Sequence, residues 1–125
     1  NQTSGVSLTS ALIPVIESEK YTFSAYIQGI SFNTDDCRVV VQWRQENGLI
    51  ISESESLEIR NIRQRSISVV ECPKYAKFCT ISCQLDNQIT IIEVSNFQLH
   101  LGEDTQVEWV DFDSRYQNIK TVVEF

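Results

Sequence analysis

The sequence predicts an all-β fold, a two-sheet antiparallel sandwich of about eight short strands. Three observations lead there. Apolar residues recur with period two in segment after segment, and turn residues separate those segments. No stretch of about ten residues carries a helical period. The 125 residues suit one domain with a real core, and 42% hydrophobic against 22% charged residues is a globular balance.

The elements follow in chain order. The start "NQTSGVSLTS" has neither a basic n-region nor an apolar h-region, and position 1 is not Met, so residues 1–125 read as a single domain excised from a longer chain. "YTFSAYIQG" sets Tyr21, Phe23, Ala25 and Ile27 on one face, against Thr22, Ser24, Tyr26 and Gln28. "NTDD" (Asn33–Asp36) marks a turn. "CRVVVQWR" then places Cys37, Val39, Val41 and Trp43 inward and Arg38, Val40, Gln42 and Arg44 outward. Asn47-Gly48, ahead of Leu49–Ile51, is the strongest hairpin signal in the chain.

"SISVVE" is expected to carry Ile67 and Val69 inward. "CPK" (Cys72–Lys74) and Asp86-Asn87 bracket the next strand, and "PKYAK" has room for one short turn. In "FCTISCQL", Cys79, Ile81, Cys83 and Leu85 oppose Thr80, Ser82 and Gln84. In "QITIIEVSNFQLHLG" the apolar residues Ile92 and Val94 are even-numbered, whereas Phe97, Leu99 and Leu101 are odd. A strand buried on one face cannot change phase without an extra residue, which predicts a bulge or bend at Ser95-Asn96. The expected core is Phe23, Ile27, Val39, Val41, Ile81, Phe97 and Leu99.

Charge excludes one class of partner. At a net charge of −7, with no basic cluster longer than "RNIRQR" (Arg60–Arg65), the domain is poorly built to displace counterions from nucleic acid. The arginines there suit an exposed loop or hairpin edge. No apolar run approaches the roughly 20 residues of a membrane span, so no membrane insertion is expected. Neutral polymers and basic protein surfaces fit the charge.

Catalytic chemistry is hard to find. The one histidine, His100, falls on the polar face of a strand, where a solvated side chain is expected. It forms no Ser-His-Asp arrangement, and four glycines make no phosphate loop. Asp35, Asp36, Glu103, Asp104, Asp111 and Asp113 lie in loops, where solvation or a structural calcium accounts for them better than an acid–base pair. The chain therefore reads as no enzyme, with no catalytic residue, no other cofactor and no metal site assigned.

Cys37, Cys79 and Cys83 sit on inward phases and serve as small apolar core residues. Cys79 and Cys83 are about 13 Å apart along one strand and cannot bridge. Cys72 with Cys79, or Cys37 with Cys83, would be the candidates for at most one disulfide. The Cys72-x6-Cys79-x3-Cys83 spacing fits no usual zinc site.

Four segments in order carry a resemblance. "EKYTFSAYIQG", "CRVVVQWRQENGLII", "SVVECPKYAKFCTISCQL" with its Pro and Ala in a short turn, and "IIEVSNFQLHLGEDTQVEW" resemble successive parts of jelly-roll carbohydrate-binding modules of families 4 and 9. The last is similar to a closing "D-hydrophobe-QLE-G…T…W" segment common where these modules are inserted in bacteriophage tail and baseplate proteins. The similarity spans roughly Lys20 to Trp109. His100 stands where that motif usually has Glu, "GVSLTSALIPV" replaces the usual first strand, and "QNIKTVVEF" extends past the usual end to supply an edge strand. The resemblance implies a jelly-roll, galactose-binding-like sandwich.

It also implies a function: a non-catalytic module that recognises a cell-surface or cell-wall saccharide, for phage adhesion to its host. The virion tail or another extracellular place is the implied location, with cell-surface polysaccharide and other virion tail proteins as partners. The alternative is a structural or assembly domain of a virion tail protein with no saccharide ligand. The two differ in whether a sheet face carries an aromatic with convergent amides and guanidinium groups. In a jelly roll, successive strands alternate between sheets, so 37–44 and 78–85 should be neighbours, extended by the hairpin near 49–54. The expected site is then Arg38, Gln42, Arg44, Ser82 and Gln84, with Tyr75 and Trp109 at the loop rim. Val40 and Thr80 share that face. Tyr26 and Gln28 fall on the other sheet. As an exposed set, these side chains should be expendable for folding.

Overall fold

A computed structural model of the chain describes residues 6–86, 90–102, 108–109 and 119–122. Ten strands appear among them: β1 (Val6–Thr9), β2 (Ile13–Pro14), β3 (Lys20–Ser31), β4 (Cys37–Arg44), β5 (Ile50–Glu53), β6 (Gln64–Glu71), β7 (Phe78–Leu85), β8 (Ile91–Leu101), β9 (Glu108–Trp109) and β10 (Ile119–Val122). The only helical element among the described residues is one 3-10 turn, Thr34–Asp36, within the expected "NTDD" turn.

The strands form two sheets. The first runs β1-β7-β4-β5, with β2 also on β7; the second runs β10-β8-β3-β6, with β9 on β8. From β3 to β8 the chain alternates between the sheets, apart from the β4–β5 hairpin. This is the two-sheet sandwich the sequence predicts, and β4 and β7 are neighbours in it, paired from Cys37↔Leu85 to Arg44↔Phe78. The single parallel pair is β10 with β8, and it fulfils the expectation of an edge strand from the tail.

The seven expected core residues are all buried, in one cluster with Trp43, Leu57, Val94 and others between the sheets. The phase change in β8 is resolved as predicted. Ser24↔Gln98 and Tyr26↔Ser95 leave one residue on β3 facing two on β8, so the bulge falls at Asn96–Phe97. Gly48 closes the β4–β5 hairpin at φ 90°, a conformation glycine adopts without strain. Gly102 ends β8 at φ 89°, its N–H on the Lys20 carbonyl at 2.7 Å and its carbonyl accepting from Thr22 Oγ1 at 2.8 Å.

Segment 54–59 closes the flank between β4 and β6 without forming a strand. Ser54 and Ser56 hydroxyls accept the Val41 and Val39 N–H groups at 2.9 and 3.0 Å, while the N–H groups of Ser54 and Leu57 return to the same residues' carbonyls. Leu57 and Ile59 plug the core.

Two expectations are corrected, and the cysteines take the core role expected of them. Ile67 and Val69 point outward, 63% and 50% exposed, because they pair opposite Ser24 and Thr22 on the outer face of the second sheet; Ser66 takes the inward place and donates to the Glu58 carbonyl at 2.6 Å. His100 is not solvated but buried at 8% exposure, beside Thr22, and its Nδ1 has no hydrogen-bond partner among the described residues. All four cysteines are buried free thiols: Cys37 faces Leu85, Cys79 faces Trp43, and Cys83 faces Val39. Burial pushes Cys37 up to about 11 and Cys79 up to about 12, and raises Cys72 and Cys83 as well.

Candidate functional site

Two outward sheet faces carry polar side chains, and they differ in what those groups do. On the first sheet, alternate residues of β4 and β7 bring Arg38, Gln42, Arg44, Thr80, Ser82 and Gln84 together, as their spacing requires. The structure links them into a chain. Arg38 bonds Gln84 and makes an ion pair with Glu53 of β5 at 3.1 Å. Gln42 donates to Glu53 at 2.8 Å and accepts from Thr80 at 3.0 Å and from Arg44 Nη2 at 3.2 Å. Arg44 also donates from Nε to Thr80 at 3.0 Å and from Nη1 to the Gly48 carbonyl at 2.8 Å. Gln84 closes onto Ser82 at 3.2 Å. The Gln42 amide and the Arg38 charge hold the Glu53 carboxyl below its ordinary value, against the opposing effect of burial.

This network is saturated and sunken. Gln42 is 6% exposed, and Thr80, Ser82 and Val40 are buried too. The expectation of an exposed, expendable set is therefore corrected for Gln42 and Ser82. Their polar atoms face one another because a buried polar group left without a partner would be costly. Arg38 remains exposed, and Arg44 is half-buried.

The two rim residues separate. Tyr75 is 66% exposed in the β6–β7 loop, at φ 75°, with Lys74 Nζ 5.4 Å from its ring centre. Its loop is pinned to the Arg44 end of β4, where Lys77 N–H meets the Arg44 carbonyl at 2.8 Å. Trp109 does not join them. Its backbone belongs to β9 in the second sheet, opposite Gln98; its side chain lies outside the described residues.

Each outward face carries an aromatic, Phe78 half-buried opposite Arg44 on the first sheet and Tyr26 on the second. Tyr26 of β3 has two guanidinium groups over its ring, Arg63 at 4.7 Å and Arg65 at 4.9 Å from the centre. Arg63 donates to Ser95 at 3.1 Å on the bulged part of β8. Arg65 reaches across β3: its Nη2 donates to Ser24 at 2.8 Å and also bonds Gln98 on β8. Gln28 continues the row, its amide on the Asn61 carbonyl at 3.0 Å. Ring, guanidinium, hydroxyl and amide thus converge on three adjacent strands. Among the described residues both bonds of Arg65 use Nη2, as both contacts of Arg38 do on the first sheet. Arg63, Arg65, Ser95 and Gln98 were missed as site residues. The expected parity of β6 turned Arg65 inward with Ile67 and Val69, and no local pattern shows a side chain reaching two strands away.

A third feature is an apolar cleft of about 410 Å³ at one end of the sandwich, lined by Ile13, Pro14, Ile16, Tyr21, Leu99 and Leu101. Its one phenol is engaged, accepting the Ile16 N–H at 2.9 Å. It offers no polar group to orient a sugar. Among the described residues no cluster of His, Cys, Asp and Glu could hold a metal ion. Asp35 and Asp36 flank a turn, and Glu103, Asp104, Asp111 and Asp113 lie outside the described residues. No helix among the described residues is long and apolar enough to cross a membrane.

No protein-family model, curated protein or solved structure matches the chain.

Proposed function

We propose that the domain is a non-catalytic carbohydrate-binding module that recognises a cell-surface or cell-wall saccharide, serving adhesion of a particle such as a phage tail to its host. The observation that carries this reading is the Tyr26 cluster. Saccharide recognition needs planar donors and acceptors for hydroxyl pairs together with a weakly hydrated plane against which C–H groups pack. Arg65 supplies donors in a fixed fork, the half-buried Gln98 amide both donates and accepts, and Tyr26 supports the guanidinium planes, while the buried Ser24 and Ser95 hydroxyls hold Arg65 and Arg63 in place.

The face of the first sheet supports the reading less. Gln42, Thr80 and Arg44 are bonded to one another, and exchanging an internal hydrogen bond for one to a ligand gains little. Those internal bonds favour the second reading, a structural domain of a virion tail with no saccharide, for the buried centre of this face.

Each hydrogen bond to a sugar contributes about 0.5–1.5 kcal/mol net, so single-site affinity is low and adhesion rests on many linked copies. A glycan array probed with the multivalent domain tests the proposal. The expected result is binding that Arg65→Met or Tyr26→Leu abolishes in a domain that stays folded, Arg65→Met melting somewhat lower because the buried Ser24 loses its partner. Loss with Arg38→Ala instead would move the site to the first sheet. The ligand should leave intact, with no reducing ends released from cell-wall polysaccharide.

A further inference from the structure

The second sheet ends in β6, and this edge differs from the others. Edge strands left unpaired are templates for another strand, and proteins usually blunt them with Pro, Lys, bulges or brevity. β2 is two residues long and contains Pro14; β5 has four residues, a register shift beside it and the Ser54/Ser56 caps beyond it. β6 has none of these devices. It runs eight residues in unbroken register with β3, without Pro or Lys, and bears Ile67 and Val69 on its open outer face. A strand whose apolar phase points away from its own core is built as though something covers it.

The backbone specifies how. Directly after β6, Cys72 N–H bonds the Glu19 carbonyl at 2.9 Å. Alternate residues of an antiparallel strand bond to opposite sides, so Ser66, Ser68 and Val70 serve β3. Arg65, Ile67, Val69 and Glu71 turn their N–H and C=O groups to the open edge. Among the described residues no other backbone group bonds them.

We infer that β6 pairs antiparallel with β6 of a second copy of this chain, about a two-fold axis at Ser68. In that register Ile67 stands opposite Val69 of the second copy, twice, and Arg65 opposite Glu71, twice. A shift of one residue would oppose edge-facing groups to groups already bonded to β3. A shift of two would set Ile67 against Glu71, or Arg65 against Val69. A parallel arrangement would place Arg65 beside Arg65 and Glu71 beside Glu71, which opposed like charges disfavour. Of these, only the antiparallel register centred on Ser68 sets both exposed apolar residues against apolar partners, so the edge is complementary to itself. The two sheets become one, and the two Tyr26 clusters share its outer face.

Sedimentation of the intact chain over a concentration series tests this, together with hydrogen exchange of single amides. Mass should rise from 14.3 kDa toward twice that value, and the Ile67 and Val69 amides should exchange more slowly as it does. Val69→Lys and Ile67→Lys, at exposed positions, should each stay monomeric with an unchanged melting temperature. Leu49→Lys, an exposed apolar residue in the β4–β5 hairpin, should still dimerise. A chain that is monomeric at its solubility limit overturns the inference. So does a dimer that survives both lysine variants, which would place the contact on another surface such as the apolar cleft. Protection of these amides only on adding a foreign strand would assign the edge to a different partner.

Discussion

Replacing Gln42 with alanine tests whether the polar chain on the first sheet is part of the fold. The side chain is 6% exposed and joins three groups: it donates to Glu53 and accepts from Thr80 and Arg44. Its removal leaves the Thr80 hydroxyl hydrogen without an acceptor in a buried place, a cost of about 1–3 kcal/mol. The charge-assisted bond to Glu53 adds about 1.5–3 kcal/mol at most, less here because Glu53 is partly in water. Arg44 keeps its bonds to Thr80 and Gly48, so its loss is small. The total is about 2–4 kcal/mol. For a domain of this size that lowers the melting temperature by about 8–15 °C. Urea unfolding of Gln42→Ala, Thr80→Val and the double variant gives the coupling directly, and the double variant should cost less than the sum of the two. A loss below about 0.5 kcal/mol for Gln42→Ala, the range of exposed positions, would refute the argument and return Gln42 to the solvated surface.

Leu99→Ala and Val41→Ala remove side chains that fill the space between the sheets, and each should cost about 2–5 kcal/mol in urea titrations at constant m. All four thiols should be inert to a thiol reagent in the native state and react fully in denaturant, because burial raises each of them far above neutral pH and hides the sulfur. Glu53 has its carboxyl lowered in the fold, so its stabilising effect is complete above the ordinary value of 4.5 and is lost as pH falls through the lowered one. The melting temperatures of the native chain and Glu53→Gln should therefore differ at about pH 7, with the difference shrinking as pH falls below 4.5 through the lowered value.

The strands were legible because burial on one face writes itself into alternation. β3, β4 and β7 follow their apolar parity, and the phase change in β8 located its bulge to within a residue. The same rule misplaced β6. Parity tells which residues share a face but not which face is inward, and on an edge strand the two differ little in local pattern. Burial of the outward polar residues was illegible for a related reason. Gln42 and Ser82 are covered by neighbours from β1, β5 and the hairpin, contacts distant in sequence. The expected site residues on β4 and β7 do lie together, as two adjacent antiparallel strands demand. The Tyr26 cluster was hidden because Arg65 spans two strands and Arg63 precedes its strand, so their meeting over one ring depends on rotamers and register together.

The central claim, that the outer face of the second sheet takes saccharide, is tested most directly by amide chemical-shift mapping with a glycan drawn from the array. The account predicts that shifts cluster on Ser24, Tyr26, Arg65, Ser95 and Gln98, and that they vanish in Arg65→Met while the domain stays folded. Shifts confined to Arg38, Arg44 and Gln84, or none with any glycan tested, would contradict it.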